Sequence, residues 1–259
     1  MPHVKEFIDK DGRNYYRKFV ETLGTVAAAK VMAVTYKLTH GNTSGLKSLG
    51  AGLAEWRIDW GPGLRIYIHQ DGDDLILLIA GSEKGDQQEA IGLARDLVRD
   101  YKARKREGRR TMFVADAGRP LIATRGAHVH DISQQRLYLS QAERTHSMAL
   151  TVDYRETILN RIRSDPDFAG ALLDEAATML LNGETGAARM VMRDLTHGLM
   201  GFEGMAKATG TPPKSLHRML SSAGNPGMDA LGAILRQLTR AALHASAVSV
   251  HVVPENAAG

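Results

Sequence analysis

Apolar residues recur at helical spacing over residues 13–23, where Tyr16, Phe19, Val20 and Leu23 share one face, and Gly24 stands where a helix commonly stops. Thr25 caps a second predicted helix through residue 39, with Val26, Ala29, Lys30 and Ala33 in near-helical register. The period then changes to two. Over residues 53–60, Trp56, Ile58 and Trp60 oppose Arg57 and Asp59; over residues 64–69, Leu64, Ile66 and Ile68 oppose Arg65, Tyr67 and His69. Gly61-Pro62-Gly63 turns the chain between these strands, and Asp71-Gly72 turns it again. Residues 75–80 form an unbroken apolar run, as expected of a central strand covered on both faces. Short turns between three strands predict an antiparallel meander, and residues 4–8 read as an edge strand. Residues 87–101 follow as an amphipathic helix with Ile91, Ala94, Leu97, Val98 and Tyr101 inward.

From the basic run at residues 104–110 to about residue 147 no periodicity persists, apart from short apolar stretches at 112–115 and 120–124 that read as strands. Helical spacing returns at Tyr154. The helices predicted there span residues 154–163, 166–181 (capped by Asp165), 184–198, 202–209, 213–220 and 226–243, and the tail beyond has no pattern. The expected organisation is an α+β domain over residues 1–106, a linker over 107–147, an all-helical domain over 148–243 and a loose tail over 244–259.

Composition narrows this picture. The 259 residues are 43% hydrophobic and 24% charged, the balance of globular protein. The absence of Cys excludes disulfides, thiolate metal sites and cysteine nucleophiles. No apolar run is long enough to cross a membrane and no apolar signal region opens the chain, so a cytoplasmic protein without membrane contact is expected. Of the net charge of +4, residues 1–110 carry +4, residues 111–150 carry +1 and residues 151–259 carry −1. A basic first domain is compatible with a phosphate-bearing partner.

Chemistry enters with the strands. Arg57, Arg65 and Lys84 belong to neighbouring strands or strand ends, and a shared sheet face would bring their charges together. Guanidinium forks suit a phosphate at its transition state, and fixed positive charge is a large catalytic term. His69 is a candidate general acid or base.

The string Glu55-Trp56-Arg57-Ile58-Asp59-Trp60-Gly61-Pro62-Gly63-Leu64-Arg65-Ile66-Tyr67, followed by LILLIAGSEK at residues 75–84, resembles the HigB branch of the RelE toxin superfamily. The likeness covers about residues 1–106. It implies a small antiparallel sheet with helices and a messenger-RNA endonuclease, often acting on the translating ribosome, that uses neither metal nor cofactor. In such toxins the ribose 2′-hydroxyl attacks the adjacent phosphate while Arg and Lys stabilise the developing charge. By that resemblance Arg65 contacts the phosphate, Lys84 is the basic residue ending the last strand, and Lys47 contacts RNA. The chain departs from the pattern where these toxins carry a Tyr shortly after that basic residue. Gln87, Gln88, Glu89 and Ala90 stand there instead.

The stretch Phe202-Glu203-Gly204-Met205-Ala206-Lys207-Ala208-Thr209-Gly210-Thr211-Pro212-Pro213-Lys214-Ser215-Leu216-His217-Arg218-Met219-Leu220 resembles the helix-turn-helix of Cro/repressor-type regulators, and residues 148–238 as a whole resemble the HigA-like antidotes that partner HigB toxins. This implies a homodimer reading operator DNA through Lys214, Ser215, His217 and Arg218. The expectation is a toxin and its antitoxin in one chain, the acidic helices near Glu156, Asp165 and Glu175 covering the basic face within or between chains. The alternative is a non-enzymatic regulator that keeps a decayed toxin fold for binding.

Overall fold

The computed structural model describes residues 2–117 and 150–243. Along them run β1 (His3–Phe7), α1 (Tyr15–Thr22), α2 (Thr25–Thr39), β2 (Leu46–Gly50), β3 (Leu53–Ile58), β4 (Leu64–Asp71), β5 (Leu75–Glu83), α3 (Gln87–Ala117), β6 (Thr151–Asp153), α4 (Tyr154–Ser164), α5 (Pro166–Leu181), α6 (Thr185–Leu199), α7 (Gly201–Thr209), α8 (Pro213–Met219) and α9 (Met228–Leu243). The chain divides into two units. One joins Met1–Ala27 to Gly41–Thr157, the other joins Ala28–His40 to Ile158–Gly259. These units interleave along the sequence, so most of α2 belongs with the C-terminal helices.

In the first unit six strands form one sheet in the order β2-β3-β4-β5-β1-β6. The β3-β4-β5 meander is antiparallel, as its tight turns dictate. The sheet as a whole is mixed, which corrects the expectation of an antiparallel one. β1 runs parallel to β5, with Val4 opposite Ile76, and antiparallel to β6, with Lys5 opposite Asp153. β1 is therefore an interior strand, and Val4, Glu6 and Phe7 are all buried. β2 and β6, which no apolar alternation marks, supply the two edges.

One face of the sheet is covered by α3. Ile91, Ala94, Leu97, Val98 and Tyr101 pack against Phe7, Leu53, Tyr67 and Leu77, each fully buried apolar side chain contributing roughly 1.5–3 kcal/mol. That cover overturns the half-exposed reading of β4, in which every residue from Leu64 to His69 is buried. α1 lies against β5, where Gly81 admits the Phe19 ring; a β-carbon there would sit 2.0 Å from Phe19 Cδ1. The third helix continues to Ala117, so residues 112–115 are helix and not strand. The strand expected at 120–124, most of the linker and the tail at 244–259 lie outside the described residues.

The second unit is helical. α2 is mainly apolar, as a largely enclosed helix must be, and Ala28, Val31, Met32 and Tyr36 have no exposed surface. Val26, read in register with Ala29, Lys30 and Ala33, is 46% exposed. Polar contacts pin the same helix. Lys30 Nζ lies 2.8 Å from Glu175 Oε1, Lys37 Nζ lies 2.8 Å from Glu184 Oε2, and Tyr36 donates to Asp194 Oδ2 at 2.9 Å. Asp165 caps α5 by accepting from the Phe168 N–H, with Pro166 beside it, as the sequence predicts. α7 and α8 meet at Gly210, whose φ of 69° is the left-handed turn that favours glycine. Met205, Leu216, Ile234 and Leu238 face inward from α7, α8 and α9.

Candidate functional site

Register decides which side chains of the first unit meet. Arg57 on β3 stands opposite Arg65 on β4, and Arg65 opposite Ser82 on β5. Cross-strand partners share a sheet face, as do alternate residues of one strand. Glu55 and Tyr67, opposite each other, therefore join Arg57 and Arg65 on the face that α3 covers, and Lys47 on β2 lies opposite Glu55.

Glu55 is the hub. It is fully buried and accepts from Arg57 Nε at 2.7 Å and from Gln87 Nε2 at 3.0 Å, while Arg65 Nε stands 3.9 Å away. The Arg57 side chain is 44% exposed, that of Arg65 only 9%. Lys84 reaches the same place from the end of β5. A β-carbon on Gly63, which has a φ of +79°, would lie 3.7 Å from Arg65 Nη1 and 3.9 Å from Lys84 Cδ. Both side chains thus come to one point beside the Gly61-Pro62-Gly63 turn. Beneath them Tyr67 Oη and Ser82 Oγ are 3.1 Å apart, and burial pushes the Tyr67 hydroxyl pKa up. Two guanidiniums share one carboxylate and a lysine stands beside them, leaving an excess of positive charge fit for an anion with several oxygens.

Arg57, Arg65 and Lys84 are brought together as the sequence suggested, with Lys47 on the neighbouring edge strand. His69 is not. It is 3% exposed beneath α3, its Nδ1 lies 2.7 Å from the Gly52 carbonyl oxygen, and the Tyr101 ring stands edge-on at 5.6 Å. Burial lowers its pKa, favouring the neutral ring. Tyr101 is engaged there too, donating to Asp71 Oδ2 at 2.5 Å. Glu55, Tyr67, Ser82 and Gln87 were not among the candidate site residues that the sequence suggested. The signal for the first two was present in the period of two, which puts Glu55 with Arg57 and Tyr67 with Arg65.

An open pocket of about 510 Å³ lies elsewhere, between α1, the end of β5 and the start of α3. Phe19, Leu23 and Leu93 line it together with Glu83, Asp86 and Glu89, so it carries the opposite charge. Among the described residues, no group of three or more His, Cys, Asp or Glu could hold a metal ion, and no helix is long and apolar enough to cross a membrane.

In the second unit Lys214, His217 and Arg218 are exposed on α8 and Ser215 is half-buried. The His217 ring stacks on Phe202 at 3.7 Å, so packing holds that side chain. From α6, Arg193 donates to the His217 carbonyl and Arg189 to those of Ser221 and Ser222, satisfying acceptors that the end of α8 leaves open. Three of the acidic residues expected to cover the basic cluster have partners of their own. Glu175 holds Lys30, Asp165 caps α5, and Glu156 lies 3.8 Å from Arg17.

No known protein-family profile matches the chain, and no solved structure matches it. An uncharacterised protein of Haemophilus influenzae is 35% identical to it over 74 residues, which are 29% of this chain and 75% of that protein.

Proposed function

The chain belongs to the family of that uncharacterised Haemophilus influenzae protein, and on this premise we propose that it joins a ribonuclease toxin to its own DNA-binding antitoxin. The observation that carries this reading is that Arg57 faces Arg65 across β3 and β4 while Lys84 stands with Arg65 beside Gly63. In the proposed reaction the ribose 2′-oxygen attacks the adjacent phosphorus and the 5′-oxygen leaves. Arg65 and Lys84 stabilise the charge on the non-bridging oxygens, the role in which preorganised donors are worth most. The turn between α7 and α8 and the exposed Lys214 and Arg218 support a helix-turn-helix that binds operator DNA as a homodimer. The relative is far shorter than this chain, which fits a second module added to the matched part.

A second reading is favoured by the burial of Arg65 against Glu55 and by the seclusion of His69. On this reading the chain is a DNA-binding regulator whose first unit binds without cleaving. The two readings separate when the full-length chain, in excess, is incubated with messenger RNA on translating ribosomes and new 5′ ends are mapped. The nuclease reading expects cleavage that falls about a hundredfold in Arg65→Ala, the scale of losing one charge-stabilising donor. Operator binding with no cleavage by the full-length chain would put the regulator ahead.

A further inference from the structure

We infer that an RNA strand seated on the Arg57, Arg65 and Lys84 cluster continues along a cationic stripe on α3 formed by Arg95, Arg99, Lys102 and Arg106. This inference rests on the nuclease reading and extends it to the way the substrate is held. The four residues are spaced i, i+4, i+7 and i+11. At 3.6 residues per turn they fall within an arc of about 60°, and at 1.5 Å per residue they extend over roughly 16 Å. Over residues 87–107 the acidic residues of the helix, Glu89, Asp96, Asp100 and Glu107, follow a separate line about a third of a turn away. Arg104 lies beyond that line, paired with Asp100, and Lys105 pairs with Asp71, so neither belongs to the stripe, and no acidic residue of residues 87–107 falls within its arc.

Two contacts fix where the stripe faces. Gln87, at the start of α3, donates to Glu55 inside the cluster, and Lys102 Nζ donates to the Ala51 carbonyl in the β2–β3 turn at 2.7 Å. Lys102 is a member of the stripe, so that flank of α3 borders the β2–β3 edge, where Lys47 is exposed on the same sheet face. The cations therefore run from the cluster along one side of the helix. Arg95 and Arg106 are exposed, and no carboxylate among the described residues pairs with either. Arg99 meets only Asp96, a surface pair of little worth.

The occupant that fits is a polyanionic backbone. Spaced cations gain affinity by releasing counterions from phosphates. A protein partner needs a buried apolar anchor, and the stripe has none. The exposed Leu93 stands beyond the acidic line.

The test measures RNA binding, not cleavage, on the full-length chain over a range of salt. The probes are a uridylyl dinucleotide and an oligouridylate of about 16 nucleotides, the upper end of common single-strand site sizes. The combined variant Arg95→Gln, Arg99→Gln, Arg106→Gln spares Lys102, which holds the turn. It should weaken the long probe at least about tenfold and make its log–log salt dependence shallower by about 2, at ~0.7 per lost contact. Dinucleotide binding should be unchanged, and Lys at the three positions should restore the long probe. Arg65→Ala should weaken both probes, which tests the cluster separately. The stripe is overturned if the long probe is insensitive to the triple variant. It is also overturned if polyglutamate of equal charge competes as well as RNA, or if Lys214→Gln with Arg218→Gln produces the loss instead. Dinucleotide binding that ignores Arg65→Ala overturns the cluster as the end of the path, whatever the stripe does.

Discussion

Glu55 shows how one buried acid organises several cations. Its carboxylate has no exposed surface and holds Arg57 and Gln87 by hydrogen bonds, with Arg65 at ion-pair distance. Removing one partner of a buried pair leaves the other uncompensated, so Glu55→Ala should cost about 3 kcal/mol of stability, read from urea unfolding. A loss below about 1 kcal/mol would show that water already shields Arg65. His69 has a different role from the one its residue type suggests. Burial depresses its folded pKa, so its contribution to stability is complete above the ordinary imidazole value of 6.5 and is lost as pH falls through the folded value. The difference in unfolding free energy between the native chain and His69→Gln should therefore shrink as pH drops below 6.5. A difference that stays constant with pH would mean that His69 titrates alike in both states.

At the scale of elements, the sequence told helix from strand wherever a period ran long enough. The β3-β4-β5 meander was legible because each turn carries Gly beside Pro or Asp and each strand alternates or is wholly apolar. β6 was not, since the three residues Thr151–Asp153 cannot show a period. β1 was misplaced because Glu6 looks like a solvent-facing charge. Glu6 is buried, and Asn14 Nδ2 at 2.6 Å and Arg17 Nε at 3.1 Å donate to its Oε2 from 8 and 11 residues along the chain. At the candidate site, alternation put Arg57, Arg65 and His69 on one face but could not say how much of that face α3 would cover. Gly81 is where the Phe19 ring of α1 lies against the sheet. Gly81→Ala should destabilise the chain by about 1–3 kcal/mol, as overpacked cores do, because the added carbon meets the Phe19 ring. Pairing it with Phe19→Leu should recover part of that loss in thermal melts; full additivity of the two changes would argue against the contact.

Across the whole molecule the chain order and the contact order disagree. α2 was legible as a helix, but its mainly apolar surface announces burial without naming a partner. The partners, Glu175, Glu184 and Asp194, are more than a hundred residues away. A fragment of residues 1–117 lacks them and also lacks β6, so it should lose the sharp urea transition of the full-length chain. A fragment that unfolds as steeply as the parent would show the seat of α2 among the later helices to be dispensable. The interleaving also sets a timetable for synthesis. At roughly 5–20 residues per second, the ribosome needs on the order of ten to thirty seconds to travel from Thr39 to Asp194. Throughout that interval the nascent chain displays a greasy helix with nowhere to go, so a message that stalls or breaks midway yields material for chaperones and proteases, not an orphaned half.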